Sequence, residues 1–245
     1  MDEGTSIPAS GDTLRIEPLG DRALLVILGE GIDAHVNDQV HRLDAALRKR
    51  NLPGVQDLVP AYATLAVHYD PVAWAGHAVL PNQTLESAIR NVWSAVLTEN
   101  LPDPRLIRIP VCYGGEWGPD LQEVAELCKL DEQTLVERHS APEYRVFMLG
   151  FTPGFPYLGG LDPSIAAPRR ETPRASVPAG SVGIAGMQTG IYPLETPGGW
   201  QIIGRTPLPL FNPGSQDPCL LSPRDRLRFV AIDPDEFQRL AEDRP

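Results

Sequence analysis

The sequence predicts an α+β chain in two parts: an antiparallel sheet with two helices over residues 12–104, then a barrel or sandwich of short strands over residues 105–235. Three observations support this. Two helical patterns each follow a pair of strand-like stretches before Pro102 and Pro104. The texture changes after Arg105, where the helical patterns become short. Between Gly150 and Trp200 about a third of the residues are glycine or proline, and they break the β-prone runs into short pieces.

In the first part, Leu14 to Glu17 and Ala23 to Leu28 are apolar and β-prone, and Gly20-Asp21 marks a turn between them. Val36, Val40, Leu43 and Leu47 recur on one helical face. Asp33 is placed to cap that helix, and Arg48, Lys49 and Arg50 suit its negative end. Pro53-Gly54 stops it. Val55 to Val59 and Thr64 to Tyr69 read as strands, the second with Leu65, Val67 and Tyr69 alternating against Ala66 and His68. Leu85, Ala88, Ile89, Val92, Trp93, Val96 and Leu97 share the face of a second helix. The order ββαββα suggests an antiparallel sheet covered on one face by helices.

In the second part, Leu106 to Val111 is a strand. Asp120 to Cys128 and Glu132 to His139 are short helices, with Asp120 and Asp131 as candidate caps. Ser176-Val177, Ser181 to Ala185, Gly190 to Tyr192, Gln201 to Ile203 and Arg226 to Ile232 are β-prone, and the C-terminal tail is polar. The N-terminal Met1 to Gly11 reads as a loose tail.

Apolar residues make up 42% of the 245 and charged residues 22%, a globular composition. The longest apolar run, Ala23 to Leu28, is far short of the ~20 residues that span a membrane. Met1 to Ser10 lacks the apolar core of a signal peptide. Cys112, Cys128 and Cys219 are too few and too scattered for a disulfide framework, so the expected compartment is the cytoplasm. A net charge of −11 disfavours nucleic acid as a partner. The histidines show no metal-ligand spacing, and neither a phosphate-binding loop nor a dinucleotide fingerprint is present. ATP use would need a nonstandard site or another chain. The absence of a self-contained catalytic engine favours one component of a complex over a complete enzyme.

Three clusters carry the candidate chemistry. Gly150-Phe151-Thr152-Pro153-Gly154-Phe155-Pro156-Tyr157 is rigid and aromatic: either a ligand rim or a tight barrel corner with Phe155 and Tyr157 in the core. From Arg145 to Leu210 five arginines (145, 169, 170, 174 and 205) face three acids (162, 171 and 195), so this segment is positive inside a negative chain. An arginine fork suits a carboxylate or phosphate, which makes Arg174 and Arg205 candidates for a small anionic substrate; the competing reading is salt-bridged or solvated arginines. In the third cluster Gln188 suits an amide-bearing substrate, and Tyr192 and Trp200 can stack while hydrogen bonding; core packing is the alternative for both aromatics. Thr206 follows in Gly204-Arg205-Thr206-Pro207. His139, at a helix end, is either an acid/base group or a packed side chain.

The stretches His139 to Leu161, Val177 to Pro193 and Pro197 to Pro207, with Leu210-Phe211, closely resemble the kinase-inhibitor-like proteins, understood as the B subunits of bacterial 5-oxoprolinase. That family is related to the first subunit of allophanate hydrolase and to part of the carboxyltransferase domain of urea carboxylase. The likeness runs from Leu14 to Ile232 and is strongest from Ile109 to Phe211. It implies an N-terminal α/β sandwich and a C-terminal cyclophilin-like β-barrel. It also implies a heteromeric enzyme that opens 5-oxo-L-proline to glutamate using ATP, with the 5-oxoprolinase C subunit as tight partner and the A subunit as the other component. By their chemistry and place in these clusters, His139, Gln188 and Tyr192 are the candidate catalytic residues of such an enzyme, and Arg174, Arg205, Gly154, Phe155, Trp200 and Thr206 the candidates to hold substrate. Where the family usually has a Pro-Gly-Asp turn, this chain has Pro223-Arg224-Asp225, so a changed turn is expected. Rival readings are a binding protein that inhibits a sensor histidine kinase, a component of a urea- or allophanate-type enzyme, and a prolyl isomerase. The last rests on fold likeness alone.

Overall fold

A computed structural model describes residues 14–75, 79–96, 101 and 103–242. The expected tail at Met1 to Gly11, Leu97 of the second helical face and Pro102 at the boundary lie outside these residues. The chain divides into two compact units, Met1–Leu101 and Pro102–Pro245.

In the first unit β1 (Arg15–Pro18), β2 (Ala23–Ile27), β3 (Val55–Pro60) and β4 (Thr64–Tyr69) form an antiparallel sheet in the order β1-β2-β4-β3. Alternation decides its faces: Leu24 and Val26 pair with Val67 and Leu65, and all four side chains are buried. Helices α1 (Ala34–Arg50) and α2 (Pro81–Val96) supply Val40, Leu43, Leu47, Leu85, Ile89 and Val92 to the same core. Each such side chain contributes about 1.5–3 kcal/mol by leaving water. Asp33 caps α1 by accepting from the Val36 N–H at 2.8 Å, as the sequence predicts. Asn37 is fully buried on α1, where its amide donates to the carbonyls of Ala61 and Tyr62, tying the β3–β4 turn to the helix.

In the second unit the strands are β5 (Leu106–Tyr113), β6 (Tyr144–Leu149), β7 (Pro156–Gly159), β8 (Arg174–Val177), β9 (Ser181–Ala185), β10 (Gln188–Ile191), β11 (Thr196–Gly198), β12 (Gln201–Arg205) and β13 (Arg226–Ile232). Among the described residues seven of these close a barrel in the order β10-β7-β6-β13-β5-β12-β9, and β11 pairs with β8 in a separate ribbon. β13 lies parallel to β5 over seven residue pairs. The interior is filled by alternate residues such as Ile109, Val111, Leu227 and Phe229. β9 is buried along its whole length. One side of it feeds the barrel core through Val182 and Ile184, and a second cluster of Phe155, Tyr192, Trp200 and Ile202 gathers around Ala185.

Helices α3 (Leu121–Cys128), α4 (Glu132–Ser140) and α5 (Pro234–Glu242) complete the unit. Several details differ from the sequence reading, strand β11 among them. The polar tail forms α5, held by Phe237, which packs on Trp117 at 4.0 Å between ring centres. Part of the aromatic run is strand β7. Asp131 caps α4 through the Thr134 N–H at 2.8 Å, but the Asp120 side chain makes no capping bond to α3. Finally, Arg224 takes φ 72, the left-handed region glycine prefers, so the arginine is strained into a turn glycine would occupy freely. Among the described residues no helix is long and apolar enough to cross a membrane.

Candidate active site

The aromatic run and the Gly/Pro-rich strands meet at a cavity of about 300 Å³ in the second unit. Phe151, Phe155, Tyr157, Tyr192 and Trp200 line it. Phe155 is the hub: its ring meets those of Phe151, Tyr157, Tyr192 and Trp200 edge-on at 5.3–5.6 Å. The two readings of this run are thus both realised, because Phe155 is only 2% exposed and still forms the wall. Phe151 stands at the rim, 64% exposed and at φ 66, a conformation rare for a bulky residue. The β8–β11 ribbon brings Gly198 against Tyr192, where an added Cβ would collide with the hydroxyl and ring.

The polar wall is made by Arg169 and Arg170, which precede β8. Behind them lies Asp120, whose side chain is 4% exposed. Oδ1 accepts from Arg174 Nη2 at 2.6 Å and Arg170 Nη1 at 2.9 Å; Oδ2 accepts from Arg174 Nη1 at 2.8 Å and the Ile202 N–H at 2.6 Å. This explains why Asp120 does not cap α3: its lone pairs are spent on β12 and two guanidinium groups. One carboxylate against two arginines leaves the cluster positive, and exposed Arg169 adds to it. Glu123, at 3.9 Å from Arg170, is 60% exposed and screens weakly. Arg170 also has a buried Nε–H without a partner among the described residues. A buried donor left unpaired costs free energy until something accepts from it. Burial pushes the ionisation of the Tyr192 hydroxyl up, against the lowering influence of the Trp200 backbone, Arg169 and Arg174, so it holds its proton at neutral pH.

The structure gathers Phe155, Tyr192 and Trp200 around the cavity and distributes the other expected residues elsewhere. Arg174 stands behind the wall with its terminal nitrogens on Asp120, which is the salt-bridged alternative. Arg205 donates from Nε to the Ala179 carbonyl at 2.8 Å and lies 5.9 Å from the Trp117 ring centre. Thr206 is buried, and its hydroxyl accepts from the Leu208 N–H at 3.2 Å. Gly154 serves a turn at φ 81, with Phe211 and Leu210 packed where its side chain would be. Gln188 opens β10 opposite Ala185 and does not line the cavity.

His139 is inside the barrel, fully buried and stacked on Phe229 at 4.5 Å. Thr189 Oγ1 donates to the Gly183 carbonyl at 2.9 Å, so it must accept from His139 Nε2–H, also at 2.9 Å. Nδ1 then accepts from the Tyr113 hydroxyl at 2.8 Å. Both ring nitrogens are engaged, and burial lowers the pKa to about 3. That describes a neutral, structural histidine rather than an acid/base group at the cavity. Among the described residues no group of three or more His, Cys, Asp or Glu side chains is placed to hold a metal ion. The arginines that line the cavity, Arg169 and Arg170, lay in the sequence cluster. Asp120, which pairs with Arg170 from 50 residues away, read locally as a helix cap.

The family model of the carboxyltransferase domain, subdomain C and D, matches residues 14–221. Over 235 residues the chain is 46% identical to the 5-oxoprolinase B subunit of Bacillus subtilis, covering 94% of this chain and 97% of that protein. Among solved structures, TTHA0988 matches with a TM-score of 0.74 and 38% identity over 86% of this chain. The urea amidolyase of K. lactis matches with a TM-score of 0.74 over 94%, at 21% identity, a likeness of fold. This chain spans 40% of the first of those chains and 15% of the second. It belongs to the carboxyltransferase-domain family, subdomain C and D, within the branch of the 5-oxoprolinase B subunits.

Proposed function

We propose that this chain is the B subunit of an ATP-dependent 5-oxoprolinase that opens 5-oxo-L-proline to L-glutamate, and that it works only with a tightly bound C subunit and with the A subunit, in the cytoplasm. The observation that carries the reading is the cavity: an aromatic wall, a positive wall and a buried phenol in about 300 Å³, a size and chemistry that suit a small lactam bearing a carboxylate. In this reading Phe155 and Trp200 pack against the lactam ring. Arg169 and Arg170 receive the carboxylate. Tyr192 O–H offers a hydrogen bond to the oxygen on which negative charge develops as the ring opens.

An unstrained lactam is a poor electrophile, so its carbonyl needs activation, for which phosphorylation by ATP is the natural route. The chain carries no standard nucleotide motif, so in this reading ATP is used by the complex, at a nonstandard site or on another chain. Two further facts support a partnered role. The B. subtilis relative is named as one subunit of its enzyme, and the module occurs inside longer chains in TTHA0988 and urea amidolyase.

The test is reconstitution: mix the three proteins and follow glutamate release from 5-oxo-L-proline with and without ATP. ATP-dependent release that requires this chain supports the reading. No release with authentic partners, together with tight binding to a sensor histidine kinase, would replace it with an inhibitory role.

A further inference from the structure

We propose that Asp120 is a positioning residue for the cavity, acting through Arg170 and Arg174 without touching substrate. The inference rests on the reading of the cavity as the substrate site. Three observations carry it.

Asp120 is buried and engaged at both oxygens by four donors, so its carboxylate has one available orientation. It is anchored through the backbone as well as the side chain: its own N–H donates to the Ile202 carbonyl at 2.9 Å, and its Oδ2 accepts from the Ile202 N–H. Thus β12, the start of α3 and β8 are locked at one point.

The second observation is what the lock holds. Arg170 lines the 300 Å³ cavity and also a second one of about 410 Å³, lined in addition by Thr172 and Gln201. The rotamer of Arg170 therefore decides which cavity receives its donors. Asp120 takes one terminal nitrogen, and the Arg170 backbone N–H donates to the Gly199 carbonyl at 2.8 Å. The guanidinium is left in one place, with Nε–H buried and unspent.

The third is charge. A carboxylate binding two guanidinium groups lowers the positive field but does not cancel it. A residue that only neutralised would compete with an anionic ligand, and removing it would tighten anion binding. A residue that positions behaves oppositely for turnover: loosening the arginines costs rate even when the field becomes more positive.

The experiment is a double-mutant cycle in the assembled complex, using Asp120→Asn, Arg170→Gln and both together. Asn is nearly isosteric and keeps an acceptor, and thermal melting verifies that each protein is folded at the assay temperature. The expected result is that Asp120→Asn cuts kcat at least tenfold with KM changed less than threefold. In the Arg170→Gln background the same change should cost less than twofold more. Multiplicative losses, or wild-type kcat in folded Asp120→Asn, would overturn the proposal.

A second readout needs no reaction and separates this proposal from the functional reading. In the isolated chain the Arg170 and Arg174 guanidinium protons should give separate NMR signals, because rotation about Nε–Cζ is blocked. In Asp120→Asn they should average. Averaged signals in the wild type would refute the clamp even if the complex turns over. Separate signals that collapse in the variant would uphold the clamp even if no glutamate is formed.

Discussion

Two buried polar clusters in the barrel unit behave in opposite ways. Around His139 each nitrogen of the ring and each neighbouring hydroxyl has a partner, and Tyr144 closes the set by donating to the His139 carbonyl at 2.7 Å. Around Asp120 the carboxylate is saturated, yet among the described residues Arg170 keeps an unpaired Nε–H, and the excess charge is positive. A closed network has nothing left to offer a ligand and stabilises the fold. An incomplete one beside a cavity keeps donors in reserve. The residue whose chemistry looks most catalytic, a histidine, is on the structural side of this division. An aspartate that looks like a helix cap belongs to the cluster beside the cavity.

The contrast can be broken most forcefully at His139. His139→Ala should cost about 3 kcal/mol in urea unfolding, since it opens a cavity, strands the Tyr113 hydroxyl proton and removes the donor to Thr189 Oγ1. Turnover per folded molecule should stay within twofold. Loss of turnover in a well-folded variant would move His139 to the other cluster.

Gly198→Ala should do the reverse. The new methyl group displaces Tyr192, and turnover should fall at least tenfold, about 1.4 kcal/mol of barrier, with a destabilisation of about 1 kcal/mol. Unchanged turnover would detach Tyr192 from the reaction.

A pH series sharpens the structural side. The folded-state pKa of His139 is lowered to about 3, below the ordinary value of 6.5, so the unfolded chain binds a proton that the native state refuses. The neutral histidine's contribution is complete above pH 6.5 and is lost as pH falls from 6.5 toward 3, by up to about 1.4 kcal/mol per pH unit. His139→Gln should show a shallower fall over that window in unfolding free energy. Parallel curves would mean the ring is not buried neutral.

The smallest effect lies outside both clusters. Arg224→Gly should raise stability by about 0.5–1 kcal/mol by relieving its left-handed backbone, with turnover unchanged. A loss of stability would show that the arginine's contacts outweigh its strain.

The same division explains what could be read in the sequence. The first unit was legible almost residue by residue, because its signals are local: Leu65, Val67 and Tyr69 alternate in β4, and Leu85, Ile89 and Val92 recur in α2. The barrel was legible as a class from its glycines and prolines. The strand β7 was hidden because its Pro156 and Gly159 read as loop. α5 was hidden because a single buried side chain, Phe237, marks it. Phe155, Tyr192 and Trp200 were found because aromatic residues between turn signals are rare and large. Asp120 was not, because its role is set by pairing with Arg170 and Arg174 across 50 and 54 residues, and a helix N-terminus offers a nearer use for an aspartate. Arg205 and Gln188 had suitable chemistry but are directed elsewhere by β12 and β10.

The four tryptophans, 74, 93, 117 and 200, offer a direct test of where substrate binds. Each can be followed by fluorine NMR in the assembled complex after labelling this chain with fluorotryptophan, with assignments made by single substitutions. On titration with 5-oxo-L-proline the Trp200 resonance should shift and saturate, while Trp117, which lies under Arg205, and Trp74 and Trp93 in the first unit stay still. A saturable shift at Trp117 with Trp200 silent would contradict the account, because it would place the substrate at Arg205 and leave the aromatic cavity empty.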